Sequence, residues 1–330
     1  MAKTYRRPLV VFYLAEPPQT GDRGQDFRTL PIREKANPEL DALVRDIKAR
    51  QHLIRSVLED DQTEPVEFID SVTIGLPAPK LATRMAEQLN FRLTQYRAAR
   101  TDAEAFKYLR ETIETSGVYV LLLGNLGTHH TNIPVEAFRG FALADEIAPL
   151  IVINDQDART AWSFTALHEL AHLWLGQTGI SGTDTENAIE QYCNDVAGEI
   201  LLPATDLQEL APIARLSPAA VAERIAEFEK TRRVSRAMVA YKLFRTGLLT
   251  KPAWTALDQR FRAQMNNSFN GGPDYYTVRR HRVGQAFLQF VRRALDDGTI
   301  TCTKAGRVLG VKPSKLFFRL RPKANASAPQ

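Results

Sequence analysis

The strongest constraint on this chain is an apolar helical segment, WSFTALHELAHLWLG at residues 162–176, which carries three costly polar side chains. His168 and His172 are four residues apart, so on a helix they lie on the same face, one turn above the other. Glu169 is displaced by about 100° around the helix axis and flanks the point at which both imidazoles are aimed. This spacing predicts a metal-binding helix.

The HExxH pattern has a defined chemistry. Two neutral imidazoles bind Zn²⁺, and the glutamate acts as general base on the water that the ion holds. The ion can lower the pKa of that water to about 7 and polarise a peptide carbonyl, and the glutamate then returns the proton to the leaving amine. We expect one Zn²⁺ per chain, although the ligand types also fit Mn²⁺ or Fe²⁺. Without a metal, the three residues would be surface polar groups or hydrogen-bonded core histidines.

A catalytic zinc site needs a third protein ligand and one open position. The following segment, TENAIEQYCNDVAGEILLP, predicts a second helix and offers four carboxylates: Glu186, Glu190, Asp195 and Glu199. Glu190 shares a helical stripe with positions that would pack against the first helix, whereas Glu186 and Glu199 are displaced from that stripe. Helical geometry therefore favours Glu190 as the third ligand.

The rest of the chain predicts an α+β fold with a small sheet beside the active-site helix. Apolar, β-favouring runs at 118–123, 138–143 and 150–153 precede that helix, and the run at 9–14 predicts a further buried strand. Apolar periodicity and capping signals predict helices at 38–60, 76–93, 102–116, 185–202, 217–229, 235–247 and 277–295. We divide the chain into an N-terminal arm with helices (1–100), a catalytic core (101–204), a helix-turn-helix-like subdomain (205–250), a basic C-terminal lobe (251–322) and a disordered tail (323–330).

Charge is distributed unevenly along the chain. Residues 251–330 contain 15 Lys and Arg against 4 Asp and Glu, whereas the first 250 residues contain 28 against 34. This basic lobe fits contact with nucleic acid or an acidic partner, and it equally fits a solvated basic surface. Tyr275 and Tyr276, close to Arg280, would either stack on single-stranded nucleic acid or anchor the lobe against the core.

Cysteine content and the N-terminus indicate a cytoplasmic protein. Cys193 and Cys302 are too few for a disulfide framework or a cysteine-only metal site. The apolar run at 9–14 is too short for an export signal or a membrane span. The expected location is therefore the cytoplasm, with no membrane contact.

Two further patterns have competing interpretations. His129 and His130, in the predicted loop GNLGTHHTN, would contact substrate or a second metal, but a histidine pair without nearby carboxylates or cysteines is usually only polar. The stretch 217–247 has the outline of a helix-turn-helix. A recognition helix offers polar side chains to base edges, whereas this one has mostly Ala, Met, Val, Tyr and Leu, which favours packing inside the protein.

HELAH, followed by E-x-x-C-N-x-V-A-x-x-I-L-L-P, resembles the ImmA/IrrE metallopeptidases. The segment FRGFALADEIAPLIVIND resembles the strand hairpin before the active-site helix of that family. The resemblance implies a zincin-like core with His168, His172 and Glu190 as metal ligands and Glu169 as the base. It also implies that Asn194 supports the site by ordering the second helix, next to a cysteine that replaces the usual small residue.

The resemblance extends to function. Many members carry a DNA-binding helix-turn-helix before the segment that resembles the start of this chain. Members without the helix-turn-helix resemble proteases that cleave a separately encoded repressor. We therefore expect a zinc-dependent endopeptidase that cleaves a helix-turn-helix transcriptional repressor and so derepresses a stress, mobile-element or anti-phage operon. One alternative is a non-proteolytic zinc-containing regulator that binds repressor or DNA, although a purely structural site has no use for the base Glu169. Another is a zinc hydrolase with a small-molecule substrate.

Overall fold

The computed structural model describes residues 37–127, 129–181, 188–265 and 282–311. These residues form helices and one four-stranded sheet, in agreement with the predicted α+β class. The strand predicted at 9–14 and the tail at 323–330 lie outside the described residues. The elements are α1 (Pro38–Asp60), α2 (Ala78–Gln88), α3 (Leu93–Arg97), α4 (Asp102–Thr115), β1 (Tyr119–Leu122), β2 (Gly140–Leu143), β3 (Leu150–Ile153), α5 (Arg159–Trp174), β4 (Gly179–Ser181), α6 (Ala188–Leu201), α7 (Pro218–Arg232), α8 (Arg236–Arg245), α9 (Lys251–Met265), α10 (Gln285–Asp296) and α11 (Cys302–Leu309), with 3₁₀ helices at His129–Thr131 and Ala204–Arg215.

The sheet has the strand order β1-β3-β2-β4. β1 runs parallel to β3, and β2 is antiparallel to both β3 and β4. The predicted hairpin is confirmed as the β2–β3 pair, in which Gly140 pairs with Ile153. The edge strand β4 was not predicted, because three residues are too few for a recognisable alternation of apolar and polar positions.

Helices cover both faces of this sheet, which explains why its strands are continuous apolar runs. One set of strand side chains packs towards α4 and α5: Val120, Leu122, Ala142, Ile151 and Ile153. The alternate set packs towards α1, α10 and α11: Leu121, Phe141, Leu143, Leu150 and Val152. Helix α5, which contains His168 and His172, therefore lies in one layer, and the N-terminal and C-terminal helices lie together in the other. The predicted division into five segments stays a prediction.

One local expectation is wrong. The helix predicted at 76–93 ends at Gln88, and the chain turns through Asn90, with a φ of 47°, before α3 begins at Leu93. Helix α5 begins at Arg159 after the N-cap residue Ala158, whose side chain makes no capping hydrogen bond. The Asp157 carboxylate accepts a hydrogen bond from the Ala158 backbone N–H and forms an ion pair with Arg139.

The segment before α2 holds the other end of α5. The backbone N–H groups of Asp70 and Ser71 donate to the carbonyl oxygens of Leu173 and Trp174, respectively. Phe68 stacks on Trp174 with ring centroids 5.0 Å apart. These contacts satisfy carbonyl groups that a helix C-terminus otherwise leaves without partners, so the last turn, which contains His172, is fixed in place.

The stretch 217–247 packs inside the protein, as its apolar composition predicted. The buried residues of α8 include Met238, Val239 and Leu243. Three arginines of this stretch have partners within the protein: Arg233 binds Asp102 and the carbonyls of Ala99 and Arg100, and Arg245 binds Asp195. Arg236 binds Glu229 within the stretch itself. Among the described residues, no helix combines the length and apolar composition that a membrane crossing requires.

Candidate metal centre

The packing of α5 against α6 brings three polar side chains to one point. His168 and His172 lie one turn apart on α5, and Glu190 lies in the first turn of α6. The Nε2 atoms of the two histidines are 3.1 Å apart. The Glu190 carboxylate bridges them, with Oε2 3.2 Å from His168 Nε2 and Oε1 3.2 Å from His172 Nε2.

These distances fit a bound divalent metal ion. In a tetrahedral site with metal–ligand bonds of about 2.0–2.1 Å, neighbouring ligand atoms are about 3.3 Å apart, close to the three spacings seen here. The donor set is also appropriate, because two imidazole nitrogens and one carboxylate leave a fourth position open in catalytic zinc sites. Within the described parts of the chain, His168, His172 and Glu190 form a group whose ligand atoms could hold a metal ion.

The side chains of this cluster are largely buried, and one of them carries a negative charge. The side chains of His168 and His172 are each 6% exposed, that of Glu190 is 19% exposed, and Glu169 is fully buried. Burial on its own raises the pKa of Glu190, but hydrogen bonds and charge interactions with the two histidines outweigh it and lower the pKa to about 2. The carboxylate is therefore ionised at neutral pH and supplies negative charge to the cation site.

The other acidic candidates on α6 have different partners. Asp195 forms an ion pair with Arg245, and Glu199 forms one with Lys242. Both carboxylates thus face α8 and not α5, while Glu186 lies outside the described residues. Packing therefore favours Glu190 more strongly than helical geometry alone did.

Two further positions on α6 adjoin the cluster. Cys193 is fully buried, in agreement with the view that a cysteine can replace a small residue there. Burial raises the pKa of its thiol well above the usual value, and the negative charges of Glu190 and Glu169 raise it further. This thiol is protonated and unreactive at neutral pH. Asn194 is half-buried one turn after Glu190, and its supporting role stays a prediction.

The remaining predicted site residues are a histidine pair on a described turn and three residues outside the described part of the chain. His129 and His130 belong to the 3₁₀ turn between β1 and β2, where His130 is exposed. His130 does not belong to the metal-ligand group found among the described residues at α5 and α6. Tyr275, Tyr276 and Arg280 lie outside the described residues, so their contact with nucleic acid stays a prediction.

Sequence reasoning missed one residue beside the site. Gly140, the first residue of β2, faces α5 where Glu169 and Thr165 pass closest to the sheet. A glycine at the start of an otherwise apolar strand is a signal of close backbone approach, and it could have pointed to this position.

Comparison with known proteins agrees with this geometry. Residues 124–244 match the family model for the IrrE N-terminal-like domain, which is a peptidase family. The matched region contains His168, Glu169, His172 and Glu190 together with the β2–β3 hairpin. The match supports the resemblance to the ImmA/IrrE family for this domain. No curated protein and no solved structure gives a significant match. The IrrE-like domain, residues 124–244, thus indicates a peptidase from a metal-dependent family, with a cluster able to bind a metal.

Proposed function

We propose that this protein is a zinc-dependent endopeptidase that cleaves one specific protein regulator. The observation that carries the proposal is the convergence of His168, His172 and Glu190 around one point, with Glu169 adjacent, inside a domain of a peptidase family. The two nitrogen donors and one carboxylate favour zinc among the divalent ions.

Each side chain has a separate task in this proposal. His168, His172 and Glu190 hold the ion, which when bound polarises the scissile carbonyl and acidifies a water molecule. Glu169 accepts a proton on its carboxylate and delivers it to the nitrogen of the leaving amine. Because Glu169 is fully buried, bulk water does not compete for its carboxylate.

We further propose that the substrate is a separately encoded helix-turn-helix repressor, and that its cleavage in the cytoplasm derepresses a stress, mobile-element or anti-phage operon. The resemblance to the ImmA/IrrE proteins supports this substrate class. The internal pairing of Arg233, Arg236 and Arg245 also supports it, since the stretch 217–247 does not present these side chains for reading DNA itself.

The test is co-expression of the helix-turn-helix repressor encoded nearest this gene with wild type or with Glu169→Gln. The substitution keeps the size of the side chain but removes the base, so we expect zinc content to be unchanged and the cleavage rate to fall by about 100-fold or more. Loss of full-length repressor with wild type alone supports the peptidase. If zinc is bound and the repressor stays intact but co-purifies with both forms, the protein is instead a non-proteolytic zinc-containing regulator.

A further inference from the structure

The backbone of β2 approaches the candidate base unusually closely. A Cβ atom added at Gly140 would lie 2.7 Å from Glu169 Oε1, 3.0 Å from Glu169 Cγ and 2.6 Å from Thr165 Cγ2. Favourable contacts between non-bonded carbon atoms are about 3.5–4.0 Å, so all three distances are too short for any side chain. The hydrogen of glycine is what allows α5 to lie at this distance from the sheet.

Backbone conformation does not account for this glycine. Gly140 is not among the residues with positive φ, and it is paired on both sides, with Ile153 of β3 and Ser181 of β4. A glycine inside a strand normally weakens the strand, because it has no side chain to pack and loses more conformational freedom on folding. Glycine is therefore required at this position because a side chain would not fit between the backbone of β2 and the Glu169 carboxylate.

We propose that Gly140 is a positioning residue that determines where the Glu169 carboxylate lies. This inference rests on the proposed function, in which Glu169 is the base. The Glu169 carboxylate is fully buried beside the backbone of β2. Because β2 is hydrogen-bonded to β3 on one side and β4 on the other, this backbone cannot move away to make room. His168 and His172 project from other sides of α5, and neither is among the atoms nearest to position 140.

The first test is Gly140→Ala in the full-length, zinc-loaded protein. The added methyl group displaces the carboxylate by several tenths of an ångström, and misplacement of a catalytic group by about 1 Å costs roughly 100-fold in rate. We expect at least a tenfold fall in kcat, with KM and the zinc content of one ion per chain unchanged. Unchanged kcat, or zinc loss equal to the loss of activity, would overturn the proposal.

Gly198→Ala is the matched control. This glycine lies in α6, the helix that carries Glu190, and is likewise buried. A Cβ there would meet only Lys242, at 3.6 Å from Cδ and 4.0 Å from Nζ, which is ordinary van der Waals contact. We expect Gly198→Ala to bind zinc and cleave substrate as wild type does. Comparison of the two variants distinguishes the effect of a methyl group placed against Glu169 from the general effect of replacing a buried glycine with alanine.

A second variant separates the effect on Glu169 from a general displacement of α5. In Gly140→Ala/Thr165→Ser, the γ-methyl group that would meet the new Cβ is removed, while Glu169 is unchanged. If the methyl group acts on Glu169, the double variant stays as slow as Gly140→Ala. Recovery of the wild-type rate would instead assign the effect to Thr165 and overturn the proposal.

A measurement without substrate tests the contact independently of the peptidase function. Aspartate is one methylene shorter than glutamate, so Glu169→Asp withdraws the carboxylate from a methyl group at position 140. We expect Gly140→Ala to lower the melting temperature in both backgrounds, but the decrease should be smaller with Glu169→Asp than in wild type, by at least about 2 °C. The reason is that substitutions at contacting residues have non-additive effects on stability. Additive effects would overturn the proposal. If this coupling is found but no repressor is cleaved, the proposed function fails and the positioning of Glu169 stands.

Discussion

Two glutamates on α6 show how environment separates a candidate metal ligand from a structural residue. Glu190 faces α5 and lies 3.2 Å from both histidine Nε2 atoms. Glu199 faces α8, and its carboxylate lies 2.5 Å from the ammonium group of Lys242. Burial lowers the pKa of Lys242, an effect that the interaction with Glu199 opposes. The same residue type thus serves a cation site at one position and a buried lysine at the other.

This contrast gives a prediction with a built-in control. Glu190→Gln removes the negative charge from the site, so we expect zinc affinity to fall at least tenfold, because ligating carboxylates must be ionised. Glu199→Gln leaves the charge of Lys242 poorly compensated, and we expect a loss of about 1–3 kcal/mol in unfolding free energy with zinc affinity unchanged. Zinc retention against a competing chelator and urea unfolding measure the two quantities. Zinc loss in Glu199→Gln, or wild-type affinity in Glu190→Gln, would contradict the assignment of Glu190.

At the scale of elements, the helices differ in how they begin. The Ser217 and Ser235 side chains cap α7 and α8 by accepting hydrogen bonds from the backbone N–H groups of Ala220 and Met238. Helix α5 has Ala158 as its N-cap residue and no corresponding bond, although the Ala158 backbone, with a φ of −59° and a ψ of 139°, is non-helical as a capping residue should be. Its position therefore depends on packing and on the contacts at its C-terminus.

We predict that Ala158→Ser stabilises the protein by about 1 kcal/mol, because its hydroxyl group would supply the side-chain capping hydrogen bond that Ala158 cannot make. Ser217→Ala should remove a similar amount, about 1 kcal/mol, from α7. Thermal and urea unfolding of both variants provide the measurement, and zinc content should be equal in both. A destabilised Ala158→Ser protein would show that the half-buried site cannot accommodate the hydroxyl group.

Elements that are defined locally could be predicted from the sequence. The spacing of His168 and His172, the apolar periodicity of α1 and the serine before α7 are each contained within a few residues. The break after Gln88 and the strand β4 depend on contacts with distant parts of the chain, and neither leaves a strong local pattern. The selection of Glu190 needed both helical geometry and family resemblance. The need for glycine at position 140 can be recognised only in the folded structure, where β2 packs against α5.

At the scale of the whole molecule, the C-terminal helices complete the layer opposite α5. Phe287 of α10 packs edge-on against Tyr119 of β1, with ring centroids 5.9 Å apart. The N-terminus of α10 is held by Glu114 of α4, whose Oε2 accepts hydrogen bonds from the backbone N–H groups of Gln285 and Ala286. Burial raises the pKa of Glu114, while its ion pair with Arg110 opposes that shift. A buried charged pair thus anchors α10 across the chain.

Gly284, immediately before α10, determines whether this anchor can form. Its φ is 85°, and a Cβ there would overlap Glu114 Oε1 and Arg110 Nη2. Gly298, just after α10, has a similar φ of 74° but nothing within 4 Å of such a Cβ. Alanine at either position incurs backbone strain of about 1–2 kcal/mol, and only Gly284→Ala also breaks the contact with Glu114 and Arg110.

We therefore predict that Gly284→Ala lowers the unfolding free energy by about 3 kcal/mol or more, against about 1–2 kcal/mol for Gly298→Ala. Urea unfolding gives the totals, and hydrogen exchange should show faster opening of α10 in Gly284→Ala alone. Equal losses in the two variants would mean that strain, and not the buried pair, controls this region. Since α10 and α5 pack on opposite faces of the sheet, zinc binding should persist in both variants. Loss of zinc in Gly284→Ala would instead show that the sheet transmits the displacement of α10 to the metal centre.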